Sequence, residues 1–210
     1  MVTYEYHKFI TDRDINNLAD VICSSPHSLE TYIAEFGVEK IRQDLKRLNK
    51  KLWVYYNQEQ YMPDREGLFA RLIFGLYLWQ LPAEVQCPYV FIQNSSATDF
   101  YNQRKGKLGT SDSYAFPDFD SNGNIKALIP TVKLLGLTEG YYDLKYLETL
   151  EQKLEMCTDE KKTGPAKKNL EKISAFCTEF KNLNDMLERM DTEAFSKIRK
   201  LLAKSIMTVQ

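Results

Sequence analysis

The stretch Arg65-Glu-Gly-Leu-Phe-Ala-Arg-Leu-Ile-Phe-Gly-Leu-Tyr-Leu-Trp-Gln80 decides how the N-terminal half of this chain is interpreted. Apolar side chains point in every direction around a helix of this sequence and leave almost no polar face. Because a helix that is apolar all round is buried all round, we predict a central helix here that ends at Pro82. Gly67, Ala70 and Gly75 should let neighbouring elements approach it closely.

Before this stretch, the spacing of apolar residues predicts three more helices. The first is capped by Asp12 or Asp14, carries Ala19 and Ile22, and ends at Pro26. The second begins near Ser28, and Gly37 separates it from the third. The third presents one apolar stripe at spacings of four, three and four residues, formed by Ile41, Leu45, Leu48 and Leu52.

After the central helix, the helical period is lost between Gln86 and Leu137, where Gly, Pro, Asn and Asp are frequent. β-Branched and aromatic residues at 89–92 predict a short strand. Residues 116–119 and 125–129 flank Asp120-Ser-Asn-Gly123, and this turn sequence favours a β-hairpin. We expect the β structure of the chain to be confined to this insert.

The C-terminal seventy residues predict an antiparallel helical hairpin with a third helix. One apolar stripe comprises Leu144, Leu147, Leu150, Leu154 and Cys157. We expect the chain to turn at Gly164-Pro165, and the last helix to begin at Asp191 or Thr192. Between them runs a heptad seam, that is, apolar residues at alternating spacings of three and four: Ile173, Phe176, Phe180, Leu183, Leu187 and Met190.

These elements predict a mainly α fold with two parts. Residues 1–137 form a helical body with a loop-rich β insert at 86–137, and residues 138–210 form the helical hairpin extension. A length of 210 residues suits one large domain or a domain with a small extension.

Composition excludes several classes of protein. The 28 Lys and Arg nearly balance the 29 Asp and Glu, so we do not expect a nucleic-acid partner. The most apolar stretch is too short to cross a bilayer and contains Arg71, so no membrane association is expected. Four widely spaced cysteines predict neither a zinc site nor a disulfide framework. We therefore expect a cytoplasmic protein, or one delivered into a host cytoplasm, without a cofactor.

One segment resembles part of a calcium-binding loop. Asp118, Asp120 and Asn122 supply oxygen atoms at its first, third and fifth positions, and Gly123 stands at the sixth. The twelfth position, which needs a bidentate Glu, is Ile129. We therefore predict a plain hairpin turn and no metal, with these three residues as the alternative metal ligands.

A second segment combines cations with glycines. Arg104, Lys105 and Lys107 could bring positive charge to an anion, and we name them as anion-binding candidates. The segment does not fit the phosphate-loop pattern, because that pattern needs Ser or Thr directly after its lysine.

The favoured hypothesis is a non-enzymatic protein-interaction or regulatory protein, such as a bacterial or viral accessory or effector factor. Its candidate interaction residues lie on the seam: Phe176, Phe180, Leu183 and Leu187. Homo-oligomerisation through this seam is left open. The alternative is a small transferase or hydrolase with its site in the loops at 93–124, where Asp99 or Asp112 would be the base and Arg104 the anion clamp. Whether the protein is an enzyme stays open at this point.

Overall fold

A four-stranded parallel sheet forms one layer of the N-terminal half. The structure is a computed structural model that describes residues 2–3, 6–11, 19–56, 66–88, 114–180 and 182–210. The strands are β1 (Val2–Thr3), β2 (Val21–Ser24), β3 (Lys51–Tyr56) and β4 (Ala83–Pro88), and they lie side by side in chain order. All three strand pairs are parallel.

This sheet corrects the expectation that β structure is confined to residues 86–137. Ile22 lies in β2 rather than in the first predicted helix, and Leu52 lies in β3 rather than on a helical stripe. Both side chains are fully buried, side by side in the register of the sheet. A short apolar strand that is buried in a parallel sheet lacks the alternation that marks an exposed strand. Its sequence therefore cannot be told from a buried helix by periodicity alone.

Helices connect the strands. They are α1 (Tyr6–Thr11), α2 (Pro26–Phe36) and α3 (Val38–Leu48). Pro26 begins α2 instead of ending the helix before it, because Ser25 caps the helix and a proline in its first turn needs no N–H. Gly37 separates α2 from α3 with a φ of 78°, as the sequence predicted. The left-handed Asn49 ends α3.

The central helix is confirmed with one correction, a kink at Gly75, whose φ of −120° and ψ of −105° are not helical. It comprises α4 (Glu66–Leu72), a π-helical turn (Ile73–Tyr77) and α5 (Leu78–Gln80), and Leu72, Ile73 and Leu76 in it are fully buried. Its glycines lie against α6 (Val132–Met156) as predicted. A Cβ on Gly75 would stand 2.9 Å from the Gly140 carbonyl oxygen.

The β-hairpin is also confirmed. Strands β5 (Ala115–Phe119) and β6 (Ile125–Pro130) pair antiparallel, and the turn between them contains Gly123 with a φ of 80°. Thr131 closes its base, because its backbone N–H and its hydroxyl both donate to the Tyr114 carbonyl oxygen at 2.9 Å.

The C-terminal helices follow the predicted order with two corrections. They are α6, α7 (Glu160–Thr178), α8 (Leu183–Arg189) and α9 (Thr192–Val209). The chain turns at 157–159 instead of at Gly164-Pro165, because the Asp159 side chain caps α7 and Pro165 is accommodated within that helix. The seam is interrupted after Thr178, and Asn182 caps a new helix. Asp191 caps α9, as expected.

The fold as a whole is mainly α, as the sequence predicted. The predicted boundary between residues 137 and 138 lies inside α6, and side chains from both sides of it belong to one hydrophobic cluster. The division into two domains stays a prediction. Among the described helices, none is long and apolar enough to span a membrane.

Candidate functional site

In the hairpin turn, side-chain oxygen atoms that were candidate calcium ligands make hydrogen bonds and an ion pair within the hairpin. The Asp120 carboxylate accepts hydrogen bonds from the backbone N–H groups of Asn122 and Asn124, at 2.9 and 2.8 Å. These bonds, together with one from the Asn124 side chain, lower the pKa of Asp120. Asp118 lies 3.8 Å from Lys126 across the strands. In the described part of the chain, no group of three or more His, Cys, Asp or Glu is placed to hold a metal ion.

The seam residues face the interior of the molecule. Leu183 and Leu187 are each 1% exposed and belong to the main hydrophobic cluster. The Phe176 and Phe180 rings are half-buried, pack edge to face with centroids 4.9 Å apart, and lie against the same cluster. The Arg189 guanidinium stands 4.7 Å above the Phe180 ring. Their role in binding a partner stays a prediction, and such binding would have to displace these internal contacts.

The catalytic and anion-binding candidates lie outside the described residues. They are Asp99, Arg104, Lys105, Lys107 and Asp112. The structure does describe the two ends of the segment that carries them. It begins after Pro88 at the carboxyl end of β4, and β5 begins at Ala115.

The carboxyl ends of β2, β3 and β4 lie at one edge of the parallel sheet, because all the strand pairs are parallel. In open α/β sheets, ligands bind outside this edge at a point where the strand order reverses. The described strands lie in chain order without a reversal, so the segment after Pro88 starts at the carboxyl edge but at no such point.

Strand β6 carries several exposed apolar side chains next to each other. Every residue of this strand is exposed, including Ile125, Leu128 and Ile129. Ile125 is 64% and Leu128 is 53% exposed. In contrast, Ala115 and Pro117 of β5 are buried, so β5 attaches the hairpin to the body and β6 is its outer strand.

Strand pairing collects three of these side chains on one face. Phe119 is opposite Ile125, and Pro117 is opposite Leu128. Opposite residues of an antiparallel pair share a face, and a register shift between Asp118 and Phe119 brings Ile125 and Leu128 to one face although they are three residues apart. We call Phe119, Ile125 and Leu128 the hairpin apolar surface. Ile129, opposite Phe116, is on the other face. Val132 and Leu135, 55% and 58% exposed, follow in the first turns of α6.

Comparisons with known proteins add no family to this description. No family model, no curated protein and no solved structure matches the chain. The functional argument therefore rests on geometry alone.

Sequence reasoning predicted the hairpin but not the exposure of its outer strand. The sequence Ile125-Lys-Ala-Leu-Ile-Pro130 does not alternate between apolar and polar residues as a strand with one solvated face does. Such a run is usually buried on both faces. Here β6 is exposed on both faces instead, and that is why it is the candidate site.

Proposed function

We propose that this protein is a non-enzymatic protein-interaction protein whose strand β6 pairs with an extended, apolar segment of a partner protein. The observation that carries the proposal is the complete exposure of β6 with three large apolar side chains on it. Large exposed apolar patches on soluble domains mark interaction sites.

The outer edge of β6 supports strand addition as the mode of binding. Within the described residues, β5 is the only neighbour of β6 in its sheet. No other described strand is bonded to the second edge of β6, and the backbone N–H and C=O groups along a strand edge are a template for another strand. Peptide recognition by strand addition combines those backbone bonds with alternating side-chain contacts on the two faces.

The composition of β6 favours an apolar segment as the occupant. Lys126 is the one charged residue among its six, and its charge is already paired with Asp118. A partner segment with Val, Ile or Leu at alternate positions would cover the hairpin apolar surface and remove it from water.

A second copy of this chain is the less favoured occupant. Six residues of strand extend over about 20 Å, and two such edges paired alone would bury less than the roughly 1,200 Å² of a stable interface. A transient peptide complex can be smaller than a stable dimer, and every second residue of an added strand bonds through its backbone to the strand edge.

The experiment is site-specific photo-cross-linking in the cells that make the protein. A photoreactive phenylalanine analogue replaces Leu128, and the matched control carries it at Met207, which is also exposed, on α9. We expect one discrete heterologous product from position 128 and none from position 207. The proposal would be contradicted if position 128 gave self-cross-linked dimers and no other product, or if both positions gave the same products.

The second candidate function is the small enzyme, with its site at the carboxyl edge of the sheet. It is favoured by one observation: the segment carrying Asp99, Arg104 and Asp112 leaves the sheet at the carboxyl end of β4. Inorganic phosphate is a suitable first probe, followed by NMR at the amides of Ser24 and Cys87. A saturable shift that is lost when Arg104, Lys105 and Lys107 are replaced by Gln would support this candidate. The absence of any shift would reject its anion clamp.

An intracellular location is part of the proposal. All four cysteines are free, which suits a reducing compartment.

A further inference from the structure

A cleft of about 340 Å³ lies between the N-terminal layer and the C-terminal helices. Its walls come from the start of α3, from α5, from α6 and from α7, which are distant in the sequence. Its volume is within the range of small-molecule sites, about 300 to 1,000 Å³. None of the sites discussed above includes it.

One side of the cleft presents a carboxylate without a cation. The Trp79 indole Nε1 donates to Glu151 Oε1 at 3.0 Å and fixes this carboxylate in place. Across the described residues, no Lys, Arg or His nitrogen lies within 4.0 Å of Glu151. A half-buried carboxylate with a free oxygen, beside an indole ring, is suited to an ammonium group.

A positive charge, that of Arg42, lies in the wall of the same cleft. Arg42 Nη2 donates to the Gln80 carbonyl oxygen at 3.2 Å, and its Nε is 3.6 Å from Glu39 Oε2. Nη1 remains available, and a guanidinium matches the shape of a carboxylate. Because Glu151 is anchored through Trp79 and Arg42 through Gln80, two adjacent residues of α5 hold a negative and a positive group at the same cleft.

A small apolar pocket of about 60 Å³ adjoins the cleft and shares Val38 and Gln80 with it. Ile33, Leu81 and Met186 line this pocket, and the polar residues Glu30 and Asn182 form part of its wall. The buried side-chain amide of Gln80 lies against Cys177, which also lines the pocket. The pocket has room for a short aliphatic group only.

We propose that this cleft binds a free aliphatic amino acid. The ammonium group bonds to Glu151, the carboxylate bonds to Arg42, and the side chain enters the apolar pocket. This inference does not depend on the proposed interaction at β6, which lies on other elements.

The probe is L-leucine, and the readout is the indole N–H resonance of Trp79. The chain has two tryptophans, so Trp53 in β3 serves as the internal reference. We expect a saturable shift of the Trp79 resonance and none of the Trp53 resonance. The single-charge analogues 3-methylbutylamine and 4-methylpentanoate should each bind at least about tenfold more weakly, because each lacks one charged contact.

Three variants test the residue assignments. Glu151→Gln keeps an acceptor for the indole but removes the charge, and Arg42→Gln removes the guanidinium; each should weaken L-leucine binding at least about tenfold. Glu155→Gln, one turn further along α6 and exposed, should change nothing. The proposal is overturned if L-leucine gives no saturable shift at Trp79, if the analogues bind as tightly as L-leucine, or if Glu151→Gln binds as the parent does.

Discussion

Arg71 on the central helix donates two hydrogen bonds to Asp143 on α6, from Nε at 2.6 Å and from Nη2 at 3.1 Å. Asp143 is buried, and it also accepts from Arg199 of α9, which in turn bonds to Glu139. One carboxylate thus joins α4, α6 and α9. The Arg71 guanidinium also packs against α9, because it lies 4.3 Å above the Phe195 ring.

Removing this carboxylate should strongly destabilise the protein. Asp143→Ala leaves two arginines without their shared partner in the interior, and such losses amount to about 3 to 5 kcal/mol. The exposed Lys145–Glu148 pair on the same helix provides the control: Lys145→Ala should change the free energy of unfolding little. Urea denaturation measures both. Equal effects of the two variants would show that the buried cluster does not hold the helices together.

The contact between α4 and α6 should tolerate no added methyl group. A Cβ on Gly136 would stand 2.0 Å from the Gly67 carbonyl oxygen, which is backbone and cannot turn away. Gly136→Ala should therefore lower the free energy of unfolding by about 1 to 3 kcal/mol. Gly164→Ala in α7 meets nothing within 4 Å outside its chain neighbours, and its new Cβ contacts only the ring of Pro165, so it should change the free energy of unfolding less than Gly136→Ala does. An equal or larger loss of stability from Gly164→Ala would contradict the packing.

The seam should behave as core. Leu187→Ala removes a buried side chain and should lower the free energy of unfolding by about 2 to 5 kcal/mol. The molecular mass in solution should not change, because the side chain contacts only its own chain. Chemical denaturation and light scattering measured together check both points. A large change in mass with little loss of stability would instead place the seam at an interface.

Stability should fall at alkaline pH. Burial, with Cys87 as a further cause, raises the pKa of Cys23 to about 11, and burial raises that of Cys177 to about 12. The unfolded thiols ionise near pH 9 and the folded ones do not, so the stabilisation is complete below about pH 8 and is lost as the pH rises toward 11. Urea denaturation at increasing pH should show this decline. A double variant with Ala at both positions should show a shallower decline, and an unchanged slope would assign it to other groups.

Local sequence patterns predicted the elements that depend on local chemistry. The all-apolar stretch from Arg65 to Gln80 could only be a buried element, and the turn chemistry of Asp120 to Gly123 specified the hairpin. The strands β2 and β3 were missed because buried parallel strands lack alternation. The break before Leu183 was missed because the heptad spacing continues across it, although Asn182 carried the capping signal.

The candidate sites were less predictable, because exposure and convergence are tertiary properties. Nothing local distinguishes an apolar strand that is covered from one that stands in water, as β6 does. Likewise, Arg42 and Glu151 are brought to one cleft only by the packing of the C-terminal helices on α3 and α5.

Backbone hydrogen exchange in β6 tests the central claim most directly. The partner segment identified by cross-linking at position 128 is synthesised as a peptide and added to the purified protein. Pairing with the outer edge of β6 predicts that amides within residues 125–129 exchange at least about tenfold more slowly, since edge amides become hydrogen-bonded, while amides of α9 are unchanged. Exchange in β6 that stays as fast with the peptide as without it would contradict strand addition.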